Sequence, residues 1–250
     1  MSIAFLFPGQ GSHRAGMLHR LPDTAASAGV LAEAETALRL AAERPGTAER
    51  DGLLEVVGVA ELDTGATLEE SRAARDTAVL VAGVAGARAL VEDEDVRPGA
   101  LAGRDVGGYA AAVLAGVLTF EEAVDTVRRR AVLLDGDEPR TTVAVRLAQR
   151  LATVVRRPQE YAYVSGSRNL PVTGDTQAVF DDLAHSAAHP GDWEQILDCL
   201  LRNGADRLVE LPPGGALVEL AAKQAPSVVS TSVETDGIAR AARRVRGEEE

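Results

Sequence analysis

The chain has 250 residues, a net charge of −12 and only 3% aromatic residues, so it is long enough for one large α/β domain with a core built from Ala, Val and Leu. The acidic balance argues against a nucleic-acid partner, and no apolar run approaches a membrane span. The single Cys199 excludes an intramolecular disulfide, and Ile3–Phe7 is too short for a secretory leader; a cytoplasmic protein is expected.

Ile3–Phe7 reads as a first strand, stopped by Pro8-Gly9. Helices are expected over 24–43 and 69–91, separated by Pro45-Gly46 and an irregular 55–66. Val79, Leu80, Val84, Ala87 and Leu90 give the second helix its apolar face. A short strand over 99–102 then enters Gly103-Arg104-Asp105-Val106-Gly107, and a small-residue helix over 108–117 leaves it. Strand, glycine turn and helix make a nucleophile elbow, with a carboxylate at its centre where Gly-x-Ser-x-Gly carries a hydroxyl.

A helix beginning near Glu121 keeps Ala123, Val124, Val127, Ala131 and Leu134 in helical period. After a break at 135–140, Val143, Leu147, Leu151 and Val154 mark another, which Pro158 is expected to end. Strands are expected over 161–164, 208–211 and 228–233, helices over 176–187, 193–203 and 215–223, and a frayed tail over 247–250. Cys199, among Ile196, Leu197 and Leu200, reads as a buried inert thiol. Arginine clusters at 128–130, 156–157 and 243–246 read as solvated helix faces. Alternating strands and helices mean a layered α/β fold with a mostly parallel sheet.

Several motifs accompany the elbow. The chain opens with Phe5-Leu6-Phe7-Pro8-Gly9-Gln10-Gly11-Ser12, then Gly16-Met17-Leu18. Ala115-Gly116-Val117-Leu118-Thr119, Ala123 and Arg130 follow the elbow; Pro190, Trp193, Gly204 and Glu210-Leu211-Pro212-Pro213-Gly214 come later. In this order they resemble the malonyl/acyl-CoA:acyl-carrier-protein transacylases of fatty-acid and polyketide synthesis, over most of the chain. The resemblance implies a hydrolase-like α/β domain without cofactor or metal. Its implied partners are an acyl-carrier protein, a polyketide- or fatty-acid-synthase component, or an acyl-CoA. It also implies that Gln10 and Val106 point N–H groups at a thioester oxygen, and that Arg130 stands where an arginine pairs with a malonyl carboxylate.

The departures are as specific as the matches. The family elbow reads Gly-His-Ser-x-Gly-Glu, whereas Arg104, Asp105 and Gly108 stand at the His, Ser and Glu. Asp76 and Ser186 fall near two family glutamines. The family's catalytic His follows a small ferredoxin-like subdomain after the Arg130 helix. Here residues 135–141 leave no room for that subdomain, and no His lies between His19 and His185. The expectation is a single domain over 1–250 with the elbow side of its sheet open.

Acyl transfer needs an activated hydroxyl, a base and oxyanion donors. An aspartate attacking a thioester would give a mixed anhydride, higher in energy than its precursor. A carboxylate at a helix N-terminus gains ~0.3–1 kcal/mol from the dipole, so Asp105 is expected ionised and paired with Arg130. It would repel a malonyl carboxylate by on the order of 4 kcal/mol at about 4 Å and an effective dielectric of about 20. His13 is either a partner of Asp105 in activating water or a loop histidine bonded to backbone. His185 and His189 are either exposed or two metal ligands lacking a third, and Ser12 reads as a loop cap. Two readings stay open: a pseudoenzyme that binds a carrier protein, acyl thioester or synthase partner, and an altered enzyme acting on thioesters with Asp105, alone or with His13, as base. An active transferase is a third.

Overall fold

The first strand, β1 (Ile3–Phe7), sends Phe5 and Phe7 to one side and Ala4 and Leu6 to the other, and all four are fully buried. This period-two alternation builds two cores, because helices cover both faces of the strand. The computed structural model describes residues 2–43 and 58–248. The expected break at Pro45-Gly46, residues 55–57 and Glu249-Glu250 of the tail lie outside the described residues.

Five further strands complete one sheet: β2 (Ala100–Gly103), β3 (Ala162–Ser165), β4 (Leu170–Val172), β5 (Arg207–Glu210) and β6 (Val229–Ser232). Their order is β4-β3-β2-β1-β5-β6, and every neighbouring pair is parallel except β3–β4. The helices are α1 (Ala25–Glu43), α2 (Val59–Leu62), α3 (Gly65–Glu70), α4 (Arg72–Arg88), α5 (Val106–Leu114), α6 (Phe120–Asp135), α7 (Arg140–Leu151), α8 (Thr176–His185), α9 (Trp193–Arg202), α10 (Ala216–Gln224), α11 (Val233–Asp236) and α12 (Ile238–Arg246). Residues of α9 and α10 pack on the Ala4–Leu6 face. Residues of α1, α4, α5, α6, α7, α8 and α12 join the core on the Phe5–Phe7 face.

The helix α4 is buried all round from Asp76 to Ala87, which its Ala, Gly and Val content permits. A Cβ at Gly86 would lie 2.3 Å from Pro212 Cδ, so that close approach requires glycine. Aromatic residues carry more of the core than their number suggests: all four phenylalanines, Tyr109 and Tyr163 are buried. α6 begins at a capping box in which Thr119 and Glu122 exchange hydrogen bonds with each other's backbone N–H. It passes to α7 through residues 136–139 alone. Among the described residues of 128–175 there is no four-stranded antiparallel sheet.

Several boundaries differ from the sequence expectation, each for a local reason. The helix expected over 69–91 starts at Arg72, because Ser71 caps it by accepting the Ala74 N–H at 3.1 Å. The described part of the expected irregular stretch contains α2 and α3, the latter capped by Thr64. α7 stops at Leu151, not at Pro158; Val154 N–H bonds back to the Leu151 carbonyl in a turn. β4 has only three residues including Pro171, too little signal for a strand, and Asn169 at φ 54° reverses the chain into it. Of the 128–130 cluster only Arg129 is exposed, while Arg128 and Arg130 are buried. The 243–246 cluster belongs to α12, whose Ala241, Ala242 and Val245 are buried on its other side.

Candidate functional site

At the carboxyl end of β2 the chain turns through Asp105, which adopts φ 60°, ψ −124°, before α5 begins. A positive φ in a non-glycine residue is strained, and neighbouring backbone must enforce it. Gly107 N–H bonds to the Arg104 carbonyl at 3.0 Å and Gly108 N–H to the Asp105 carbonyl at 3.1 Å. The turn is also wedged between two loops. A Cβ at Gly107 would stand 2.2 Å from the Phe7 carbonyl oxygen, and one at Gly9 2.2 Å from the Arg104 carbonyl oxygen. Gly107→Ala is therefore expected to lower unfolding free energy by ~1–3 kcal/mol through overpacking. Urea denaturation checks this; a variant as stable as the parent would mean that the loops can separate freely.

The Asp105 side chain does not cap its own helix. It is 7% exposed and turns to Arg130 of α6, whose Nη2 meets Asp105 Oδ1 in an ion-pair contact. The other guanidinium nitrogen, Nη1, donates to Asp76 Oδ2 of α4 at 3.0 Å. Gln10, its amide oriented by the hydrogen-bond network, donates to Asp105 Oδ2 at 3.2 Å and accepts from Arg72 Nη1 at 3.0 Å. Arg72 Nε in turn pairs with Asp135, at the end of α6, at 2.5 Å. Asp76 and Arg130 are each 2% exposed. Asp105, Arg130 and Asp76 thus form a buried charged cluster at the elbow.

Burial dominates the electrostatics of this cluster. It pushes the Asp76 carboxyl above its usual range, although Arg130, Arg72 and Arg75 oppose the shift. It also lowers Arg130 to about 10, against the pull of Asp76, so the guanidinium remains charged at neutral pH. Neither the Gln10 nor the Val106 backbone N–H has an acceptor among the described residues.

The remaining candidates are placed elsewhere. His13 lines a groove with Arg75, Leu68 and Glu69, and no hydrogen bond or ion pair joins it to Asp105. Burial, then the charge of Arg75, lowers its pKa. Ser12 Oγ donates to the Gly9 carbonyl at 2.7 Å, and Arg104 is exposed. Ser186 Oγ donates to the Leu183 carbonyl at 2.8 Å. His185 ends α8, and His189 lies beyond it with its ring stacked on His185 at 4.4 Å. Cys199 is buried in α9, and burial raises its pKa.

Sequence reasoning missed Arg72 and Asp182. Arg72 carried no motif, and only the fold brings it to Gln10. Asp182 is buried in α8 and accepts from Tyr163 Oη at 2.7 Å, Gly166 N at 3.2 Å, Ser167 N at 3.0 Å, and the Ser165 and Ser167 hydroxyls. It pins the loop after β3 beside the elbow, where a Cβ at Gly166 would lie 3.0 Å from the Gly103 carbonyl oxygen. An Asp-Asp pair on an amphipathic helix gave no sign that its second member faces inward.

No family model matches the chain. It is 27% identical over 190 residues to the malonyl CoA-acyl carrier protein transacylase of Bacillus subtilis, covering 71% of this chain and 44% of the relative. It is 32% identical over 173 residues to a phenolphthiocerol/phthiocerol polyketide synthase component of Mycobacterium tuberculosis, covering 69% of this chain and 11% of that protein. A malonyl-transacylase solved with its type II polyketide-synthase acyl-carrier protein superposes with a TM-score of 0.77 at 18% identity, covering 97% of this chain and 99% of that one. These neighbours identify the malonyl-CoA:acyl-carrier-protein transacylase family. The family includes acyltransferase domains of polyketide synthases, and its layered α/β fold is the one described above. The chain spans less than half the length of these curated relatives. Among the described residues no helix is long and apolar enough to cross a membrane.

Proposed function

We propose that this transacylase-family chain is a pseudoenzyme of fatty-acid or polyketide biosynthesis, a single acyltransferase-like unit acting in the cytoplasm. It binds an acyl-carrier protein, acyl thioester or synthase partner and performs no serine-based acyl transfer. The observation that carries this reading is the occupied elbow: Asp105 stands at the nucleophile position, and its carboxylate is engaged by Arg130 and Gln10. A carboxylate so paired is a poor nucleophile, and its acyl product would be a high-energy anhydride. Arg130, committed to Asp105 and Asp76, is not free for a substrate carboxylate. The Gln10 and Val106 N–H groups, which have no acceptor among the described residues, are read as oxyanion donors left without the group that would generate the oxyanion.

Hydrolysis with an Asp105–His13 base lacks the contact that it requires, since His13 faces Arg75. Incubation with malonyl-CoA or acetyl-CoA is expected to leave the intact mass unchanged. A covalent acyl adduct on Asp105, Ser12 or any other residue would remove the pseudoenzyme reading. Thioester loss from a malonyl-carrier protein would favour the altered-enzyme reading instead.

A further inference from the structure

The helical path of α8 continues past His185. Ser186 N–H bonds to the Asp182 carbonyl at 2.8 Å, and His189 N–H bonds to the His185 carbonyl at 3.0 Å. Ser186 and Ala187 are buried, and Ser186 Oγ donates to the Leu183 carbonyl, so this last turn is anchored on the protein. His185 and His189 therefore stand at i and i+4 on one helical face. Both are exposed, and their rings lie parallel within 7° with centroids 4.4 Å apart.

Neither imidazole takes part in a hydrogen bond or ion pair among the described residues. The acceptor nitrogen that each neutral ring carries is thus left without a protein partner. Two nitrogens bound to one tetrahedral zinc at about 2.0–2.1 Å stand roughly 3.3 Å apart. Rings already stacked at 4.4 Å reach that separation by a small turn about χ2, a soft torsion in histidine. The partial negative charge at the α8 C-terminus also favours a cation there. Asp181 lies one turn earlier on the same face, but its Oδ1 is held by Gln177 Nε2 at 2.7 Å. Among the described residues no third His, Cys, Asp or Glu completes a cluster.

We propose that His185 and His189 chelate a divalent transition-metal ion of the zinc, nickel and copper class, with water at its remaining positions. The donor set selects that class. Two imidazoles with no carboxylate suit these ions, whereas Mg²⁺ and Ca²⁺ require oxygen ligands. Both side chains start from one anchored helical turn, so once the first nitrogen binds, the second binds intramolecularly. The ion bridges the last turn of α8, the helix whose Asp182 holds the loop after β3 beside the elbow. The site uses none of the elbow residues and stands whether or not the elbow is catalytic.

The test uses the full, tag-free chain with Zn²⁺, Ni²⁺ and Cu²⁺ salts, and Mg²⁺ as a control. Calorimetry is expected to give one Zn²⁺ or Ni²⁺ per chain, and electron paramagnetic resonance of the Cu²⁺ form to show coordination by imidazole nitrogen. His185→Ala and His189→Ala are each expected to weaken binding about tenfold or more, because the chelate is reduced to a single ligand. His19→Ala is expected to leave affinity unchanged. Zn²⁺ should also raise the melting temperature of the parent but not of the double variant. Both positions are exposed, so the variants are expected to fold, and circular dichroism checks that they do. Absence of binding by the parent overturns the site, as does binding that survives in the double variant. One ion per two chains, with a metal-dependent dimer, overturns a site complete within one chain. Equal affinity for Mg²⁺ overturns the assigned metal class.

Discussion

Arg130→Met is expected to lower the unfolding free energy by about 3–5 kcal/mol at neutral pH, the range seen when one partner of a buried ion cluster is removed. The substitution fills similar space, so a cavity contributes little. What remains is a pair of buried carboxylates, Asp76 and Asp105, whose shared cation is gone. The loss should depend on pH in a defined direction. Burial already holds Asp76 above its usual range, and losing Arg130 pushes it further up. In the unfolded chain the same carboxyl titrates near ~3.9. Between those two values the folded protein binds more protons, so stability falls as pH rises through that window. Below the unfolded value the Asp76 contribution is fully restored. Urea titrations of parent and variant across that range read the effect. Equal stability at neutral pH, with no recovery in acid, would show that the cluster is not a buried network.

Asp105→Ser is expected to tighten malonyl-CoA binding roughly 10²-fold, because a like charge worth on the order of 4 kcal/mol at close range is removed and part of that is recovered. Arg130 would keep its bond to Asp76 through Nη1, leaving Nη2 to meet an incoming carboxylate. Carrier-protein loading should stay very slow, since a missing general base costs ~10²–10⁴-fold. Calorimetry with malonyl-CoA, run beside a loading assay, separates the two effects. No gain in affinity would mean that Asp105 does not control Arg130. Loading at an ordinary enzymatic rate would reveal a base, with His13 the first residue to replace.

The fold was largely legible because its signals are local. β1 ends at Pro8-Gly9, β2 at the Gly103 turn, and α6 keeps strict helical period from Phe120 to Leu134. β4 was not, since three residues cannot establish an alternation; nor was α12, where four arginines hid the buried Ala241, Ala242 and Val245. At the site, Asp105 stood out because chemistry expects a hydroxyl in an elbow. Gln10 and Arg130 came with the motifs, but Arg72 reaches Gln10 only through the packing of α4 against the first loop, a contact with no periodicity to betray it. The Asp182 cluster depends on which way one helix faces, and a single register step decides that.

The strained turn at position 105 is clamped by close approaches at Gly9, Gly103 and Gly107, which meet backbone and, of the 105 side chain, only its Cβ. Its shape is consequently set mainly by the backbone around it and little by the side-chain atoms beyond Cβ. A substitution at position 105 is therefore expected to change the group presented there without refolding the loops around it. The turn then works as a socket whose geometry the glycines hold.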